Sequence, residues 1–238
     1  MMSHAMNEEP EYFLTLAAAF VRGRLKNDRV HAEYASLFVR PLDELTEDEM
    51  RMLVQLSKEE GLRIHRFKRT MELPRVHKVL GILKSMQAQN VLDIGSGRGA
   101  FLWPLLHEFP YLPVTAVDIL DYRVADLQMV HDGGIERLTA VQASATELPF
   151  ADHTFDVVTM LEVLEHIPAT ATALNEVCRV AQRFLILSVP SKEDDNPEHI
   201  HLFDAESLKH HLLASGAERV TVEYILNHMI VVARMGRR

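Results

Sequence analysis

The chain has 238 residues, of which 47% are hydrophobic and 25% are charged, with a formal net charge of -9 at pH 7. This composition and length fit one large globular domain, or one domain with an extension, whose hydrophobic core is large enough without disulfide bonds or structural metal ions. The acidic net charge argues against general nucleic-acid binding. The single cysteine, Cys178, excludes an intramolecular disulfide. The sequence has no apolar run of about 18 residues, so no membrane span is predicted, and we expect a cytoplasmic protein.

The first third of the chain is predicted to be helical. Residues 1–6 lack the apolar core of a signal peptide, and residues 1–9 are expected to form a loose tail. Three helical patterns follow. The first has a start signal at Pro10 and a stop signal at Gly23, and the second ends before Pro41. The third starts at the Thr46–Glu49 capping box and ends at Gly61. We therefore assign residues 1–73 to a helical extension or cap, which either packs structurally or borders the site as a lid, and residues 74–238 to the main domain.

Segment 62–84 is locally basic, with seven Lys or Arg residues and one acidic residue, Glu72. The favoured interpretation is a solvated face that pairs with acidic runs such as 43–49, because no aromatic residues are interleaved for base stacking. The alternative is contact with an anionic substrate or a nucleic acid. Pro74 fits the first position of a helix that leads into the next segment.

The central motif lies at residues 91–100. A short apolar run predicts a buried strand over 91–94, which three alternate glycines interrupt before a helical pattern at 99–108. Glycines allow close backbone approach to a ligand, and a helix N-terminus offers free N–H groups, so the unit is typical of nucleotide binding. Gly95, Gly97 and Ala100 also fit a dinucleotide fingerprint. However, Asp93 would repel a pyrophosphate and suits a ligand with a positive amine.

Strands and helices then alternate to the end of the chain. Strands are predicted at 114–117, 138–141, 155–160, 184–189, 220–226 and 229–233, and helices at 121–131, 171–181 and after Asp204. This alternation predicts an α/β fold with a doubly wound, mostly parallel, seven-stranded sheet. The last two strands are separated by Asn227 and His228 only, which is hairpin spacing, and we expect them to form an antiparallel pair.

The glycine segment resembles the first motif of the class I S-adenosylmethionine-dependent methyltransferases, and the resemblance covers roughly residues 75–238. It implies a Rossmann-like methyltransferase sheet with an antiparallel last strand, and S-adenosyl-L-methionine as the cofactor. It further implies that one group of residues holds the methionine end of that cofactor: Asp93, Gly95, Ser96, Gly97 and Gly99.

Two further segments are assigned to the nucleoside. Asp118 closes the second strand, where a carboxylate can accept both ribose hydroxyl protons of either S-adenosylmethionine or NAD. Ile119 is placed to pack against the adenine face. Ser144 and Ala145 begin a segment that resembles the family's Asp-Ala-x-x-Leu-Pro-Phe, whose Asp meets the adenine amino group. The hydroxyl of Ser144 can still accept one hydrogen bond in place of that Asp.

The fourth strand runs into Glu162-Val-Leu-Glu165-His166, which resembles superfamily members including small-molecule O-methyltransferases of quinone biosynthesis. In small-RNA 3′-terminal ribose methyltransferases a similar segment and a later His bind a divalent metal, which makes Glu162, Glu165, His166 and His201 candidate ligands. The tryptophan motif of those RNA enzymes is missing here. The favoured interpretation is that Glu162 and His166 shape the methionine and substrate pockets without a metal.

We therefore predict an S-adenosylmethionine-dependent methyltransferase that acts on an unidentified acceptor, with a small molecule preferred. Such an enzyme supplies orientation and a base for the acceptor, and the candidates are Glu162, His166 and His201. Three alternatives stay open: a metal-assisted RNA ribose 2′-O-methyltransferase, an NAD(P)-dependent oxidoreductase, and a cofactor-binding module without turnover. Asp93 disfavours the oxidoreductase, as does the lack of a Tyr-x-x-x-Lys pair. The sequence does not specify the acceptor or the oligomeric state.

Overall fold

The structure is a computed structural model that describes residues 11–28, 32–69 and 73–236. A seven-stranded sheet lies at its centre. The strands are β1 (Val91–Ile94), β2 (Val114–Asp118), β3 (Leu138–Gln142), β4 (Phe155–Leu161), β5 (Ala181–Pro190), β6 (Ala217–Ile225) and β7 (His228–Met235). Their order is β3-β2-β1-β4-β5-β7-β6, and β7 runs antiparallel to both of its neighbours. The predicted α/β sheet with an antiparallel last strand is confirmed.

Eight α-helices surround the sheet within the described residues. They are α1 (Leu14–Leu25), α2 (Ala35–Val39), α3 (Glu47–Glu59), α4 (Pro74–Met86), α5 (Leu102–Glu108), α6 (Asp121–Asp132), α7 (Thr170–Val180) and α8 (Ala205–Ala214). The two faces of the sheet contribute to separate apolar cores. In β4, for example, Val157 belongs to the core with α1 and α3–α6, whereas Val158 belongs to the core with α7 and α8. This alternation follows from the two-residue period of a strand.

Helix α1 packs directly against α6, and glycines allow the two backbones to approach. A Cβ on Gly23 would lie 1.9 Å from the carbonyl oxygen of Met129, and one on Gly133 would lie 1.7 Å from that of Ala19. The predicted helix stop at Gly23 is wrong, since α1 continues to Leu25: this glycine serves close packing instead of termination. The division of the chain at residues 73 and 74 stays a prediction.

The other N-terminal signals follow the sequence more closely. Thr46 and Glu49 form the predicted capping box of α3, and Gly61 follows that helix with a φ of +66°. The second helical pattern is divided between a 3₁₀ turn at Ala32–Tyr34 and the short α2, which ends before Pro41. The Pro10 signal lies outside the described residues. None of the described helices is both long enough and apolar enough to cross a membrane.

Two chain reversals bring unexpected residues to the carboxyl edge of the parallel strands. Helix α4 precedes β1 and begins at Pro74, so its first turn lies near the end at which β1 terminates. Strand β7 is antiparallel to β5, and its first residue, His228, pairs with Pro190 at the end of β5. Ligands in open α/β sheets bind outside this edge, so Arg75 and His228 belong to the region of the candidate site.

Candidate functional site

The loop after β1 is built on three glycines with left-handed backbone conformations, at Gly95, Gly97 and Gly99. A Cβ on Gly95 would lie 2.3 Å from a methyl carbon of Val163, whereas around Gly97 the nearest atom would be 3.6 Å away. Gly97 therefore leaves room for a ligand. Helix α5 begins only at Leu102, because the loop keeps left-handed conformations through Gly99. The predicted helix near 99–108 therefore starts three residues earlier than α5 does.

The predicted methionine-end carboxylate, Asp93, is 2% exposed and sits at the base of this loop. Its Oδ2 accepts a hydrogen bond from the hydroxyl of Ser96 at 2.8 Å, and its Oδ1 accepts one from Thr159 at 2.9 Å. Burial raises the pKa of Asp93 to about 6, against the opposing effect of these two hydrogen bonds. A cation brought to this carboxylate would remove the cost of its ionisation.

Asp118 ends β2 beside the loop and is also 2% exposed. Its carboxylate accepts hydrogen bonds from the backbone N–H groups of Gly97 and Leu120, at 2.9 and 3.0 Å, and lies 3.3 Å from a guanidinium nitrogen of Arg123. Oδ2 accepts both the Gly97 N–H and the Arg123 guanidinium, whereas Oδ1 accepts only the Leu120 N–H and retains a lone pair for a hydroxyl donor. Asp118 is therefore a structural residue of the loop as well as the predicted ribose contact.

Glu162 follows β4 and has a left-handed φ of +56°. Its Oε1 accepts a hydrogen bond from the hydroxyl of Ser188 at 2.6 Å, and its Oε2 lies 3.0 Å from Nδ1 of His228. The guanidinium of Arg75 lies 3.9 Å from the same carboxylate and 3.4 Å from the His228 ring. Because these groups surround it, Glu162 is a paired anion and is poorly suited to act as a free base.

Arg75 and His228 were not predicted as site residues. Arg75 was counted with the basic segment, and His228 was placed in a hairpin turn. Topology locates them. Arg75 is in the first turn of the helix that precedes β1, and His228 begins the antiparallel strand β7, so both lie at the carboxyl edge of the parallel strands.

A cavity of about 170 Å³ lies above the glycine loop. It brings several predicted residues together with the guanidinium of Arg75. Its polar and glycine lining consists of Arg75, Asp93, Gly95, Ser96, Gly97, Arg98 and Glu162. The cavity thus combines a buried carboxylate, a second anion and two guanidinium groups, which match a ligand end with both an ammonium and a carboxylate group.

The predicted adenine contacts lie after β2 and β3. Ile119 is 64% exposed, which leaves a large apolar surface next to Asp118. The hydroxyl of Ser144 pairs with that of Thr146 at 2.7 Å and also accepts its backbone N–H, while Ala145 is buried. Two adjacent strand ends are linked here by the bond from Ala143 N–H to the carbonyl of Asp118. The assignment of Ile119, Ser144 and Ala145 to adenine stays a prediction.

A second polar group lies beyond the end of β4. Glu165 is fully buried, and neither of its carboxylate oxygens has a hydrogen-bond partner among the described residues. Burial raises the pKa of Glu165 to about 8. One ligand atom each from Glu165, His166 and His199 lies within 4.8 Å of the others. His201 and Glu162 do not belong to this group, so the structure does not assemble the four-residue set that the sequence motif suggested.

The chain matches one protein family, described as "Methyltransferase domain", over residues 92–184. Among curated proteins, it is 29% identical over 119 residues to a demethylmenaquinone methyltransferase of Porphyromonas gingivalis, which is 49% of each chain. It is 30% identical over 112 residues to a ubiquinone biosynthesis O-methyltransferase of Nitrosomonas europaea, which is 45% of this chain and 46% of the relative. The chain thus spans about half the length of these relatives.

Solved structures share the fold. A SAM-dependent methyltransferase from Aquifex aeolicus matches 70% of this chain and 92% of its own, with 22% identity and a TM-score of 0.56. The N-terminal domain of EvdMO1 with SAH bound matches 78% of this chain and 97% of its own, with 16% identity and a TM-score of 0.58. At these identities the comparison establishes the architecture of the sheet.

Proposed function

The chain belongs to the class I S-adenosylmethionine-dependent methyltransferase superfamily, and we propose that it transfers a methyl group from S-adenosylmethionine to a small-molecule acceptor. The observation that supports this most strongly is the buried Asp93 carboxylate beneath the glycine loop. A dinucleotide would bring its pyrophosphate to this carboxylate and to Glu162. The antiparallel β7, which lies between β5 and β6, also departs from the 3-2-1-4-5-6 strand order of the dinucleotide fold.

The residues present fit the cofactor. The carboxylate of Asp93 would pair with the ammonium group of the methionine end, and the guanidinium of Arg75 with its carboxylate. Gly97 leaves space above the loop, and Oδ1 of Asp118 retains a lone pair for a ribose hydroxyl. Ile119 offers an exposed apolar surface for adenine. S-adenosylmethionine supplies an electrophilic methyl group, so the protein must orient an acceptor and assist loss of its proton.

Among the three predicted base candidates, His166 has the best-defined free nitrogen. Its Nδ1 lies 2.8 Å from the carbonyl oxygen of Glu198, and a carbonyl only accepts, so the proton is on Nδ1 and the lone pair on Nε2. Glu162 is already paired with Ser188 and His228. We assign His166 to the acceptor side of the site, where its lone pair can take a proton. The Nε2 atom of His201 is buried without a described partner.

The acceptor is proposed to be a small molecule that presents an oxygen. The chain is similar to a demethylmenaquinone methyltransferase, which supports a small-molecule acceptor, and to a ubiquinone biosynthesis O-methyltransferase, whose name supports an oxygen as the methylated atom. We further propose that the reaction takes place in the cytoplasm, in keeping with one buried cysteine, Cys178. RNA is the alternative acceptor that the experiment below includes.

The first test is cofactor choice, measured by titration calorimetry on the full chain. S-adenosylhomocysteine should bind with a micromolar or tighter dissociation constant, while NAD should show no binding. Methyl incorporation from labelled cofactor into the RNA, protein and small-molecule fractions of a cell extract should then label the small-molecule fraction. His166→Ala should lower turnover more than cofactor affinity. Tight NAD binding without S-adenosylhomocysteine binding would falsify the proposed function.

A further inference from the structure

The group beyond β4 has the composition of a three-ligand metal site. Glu165, His166 and His199 each offer one ligand atom within 4.8 Å of the other two, and Oε1 of Glu165 lies 3.9 Å from Nε2 of His199. Glu165 is fully buried, and its two oxygens have no partner among the described residues. A buried carboxylate in this position is unfavourable unless a proton or a cation compensates it.

Each of the two imidazole rings has an outer partner at its Nδ1 atom. Nδ1 of His166 lies against the carbonyl oxygen of Glu198 at 2.8 Å, and Nδ1 of His199 lies against Oδ1 of Asp194 at 2.9 Å. Both partners are acceptors, so each ring carries a proton on Nδ1, and in the neutral imidazole the lone pair is then on Nε2. Metal-binding histidines are oriented by outer partners of this kind, either a backbone carbonyl or a carboxylate.

The loop that carries His199 is fixed to Glu165 by its backbone. The N–H of Ile200 donates to the carbonyl of Glu165 at 3.0 Å, and the N–H of His199 donates to the carbonyl of Asn196 at 3.0 Å. The N–H of Glu198 donates to the side chain of Asn196, also at 3.0 Å. These bonds hold the loop after β5 against the turn after β4, and they keep the three side chains next to one another.

We propose that Glu165, His166 and His199 bind one divalent transition-metal ion of the zinc type. One carboxylate oxygen and two imidazole nitrogens suit zinc and its borderline neighbours, and three protein ligands leave coordination positions open. Ligands at about 2.0–2.2 Å from one ion lie roughly 3–3.5 Å apart. The carboxylate of Glu165 and the ring of His199, 3.9 Å apart, would therefore close by roughly 0.4–0.9 Å, and a pair at the 4.8 Å limit by roughly 1–2 Å.

This inference deepens the proposed function and rests on it for the use of the ion. The open positions would orient an oxygen-bearing acceptor and favour loss of its proton to solvent, and His166 would then be a ligand instead of the proton acceptor. It reverses the metal-free interpretation favoured from the sequence. The reason is that His199, and not His201, lies next to Glu165 and His166, while Glu162 is paired with Ser188 outside this group.

The test uses the full chain after treatment with a chelator and its removal. Zn²⁺ is titrated by calorimetry, and Co²⁺ is followed by its visible absorption, which reports coordination independently of activity. The wild type should bind one equivalent. His199→Ala and Glu165→Gln should each bind at least about tenfold more weakly. The control His210→Ala, which changes an exposed residue of α8, should bind as the wild type does.

His199 lies in a loop, so its variant keeps the test decisive if Glu165→Gln fails to fold. Wild-type protein that binds no ion, or His199→Ala that binds as tightly as the wild type, would overturn the proposal. Loss of binding in His201→Ala but not in His199→Ala would overturn it too. Calorimetry with S-adenosylhomocysteine on the same samples separates the two proposals, since intact cofactor binding without ion binding rejects the metal site alone.

Discussion

The backbone N–H of Gly97 donates a hydrogen bond to Oδ2 of Asp118 across 2.9 Å, which ties the middle of the glycine loop to the end of β2. The other carboxylate oxygen accepts the N–H of Leu120 at 3.0 Å and thereby shapes the entry to α6. One side chain therefore fixes two backbone segments at the site. Because of this double role, a change at Asp118 should affect both stability and ligand binding.

The first prediction concerns Asp118→Ala. Loss of the charged acceptor should weaken S-adenosylhomocysteine binding by about 1–3 kcal/mol. The two N–H groups left unpaired, those of Gly97 and Leu120, should also lower the free energy of unfolding by roughly 1–3 kcal/mol. Calorimetry and urea denaturation measure the two effects. Unchanged affinity in a folded variant would place the ribose elsewhere.

The second prediction concerns the pH dependence of stability through Asp93. Its pKa is raised to about 6 in the folded protein, from 3.8. The folded state therefore holds the proton more tightly, and this stabilising contribution is present below about pH 4 and is lost as the pH rises to 6. Asp93→Asn should abolish this loss and raise the free energy of unfolding at pH 7 by up to about 3 kcal/mol. The hydroxyls of Ser96 and Thr159 can reorient to accept from the new amide.

The same carboxylate should couple cofactor binding to proton release. If an ammonium group pairs with ionised Asp93, the affinity of the wild type for S-adenosylhomocysteine should rise between pH 5 and about pH 6.5 and then level off. Asp93→Asn should bind more weakly at pH 7 and lose most of this slope. A variant that is more stable yet binds less cofactor would separate the ligand role of Asp93 from its structural role. If Asp93→Asn bound S-adenosylhomocysteine as tightly as the wild type does, Asp93 would have no role in ligand binding.

The sequence could predict the residues that lie at strand ends. The position of a strand follows from its apolar run, and the last residues of parallel strands lie at the same edge of the sheet, so Asp93, Asp118 and Glu162 lie at the carboxyl edge as predicted, while their roles stay a prediction. The capping box at Thr46 was equally readable, because its hydrogen bonds are local.

Residues that reach the site through long-range packing could not be located in this way. Gly23 has the pattern of a helix stop, and only its contact with Met129 shows that it serves packing. Arg75 belongs to a basic segment in which no local feature separates it from its neighbours. His199 and His201 differ by two positions in one loop, and the backbone bond from Ile200 to Glu165 decides which ring meets the carboxylate.

The third prediction tests the packing of α1 on α6. Gly133→Ala places a methyl group 1.7 Å from the carbonyl oxygen of Ala19, and it should lower the free energy of unfolding by about 1–3 kcal/mol. The matched control is Gly81→Ala in α4, where a Cβ would meet no atom within 4 Å. That change should raise stability by about 0.5–1 kcal/mol, because alanine favours a helix. Equal effects of the two changes in thermal unfolding would argue against close packing of α1.

The last prediction assigns Arg75 to the carboxylate of the methionine end. Arg75→Ala should weaken S-adenosylhomocysteine binding by about tenfold or more, since a hydrogen bond between charged groups contributes about 1.5–3 kcal/mol. Lys78→Ala is the control on the same helix, where the side chain pairs with Glu223, and it should leave affinity unchanged. The ligand 5′-methylthioadenosine has the nucleoside but no amino-acid end, so Arg75→Ala should bind it as the wild type does. A parallel loss for both ligands would show that Arg75 shapes the cavity without contacting the carboxylate.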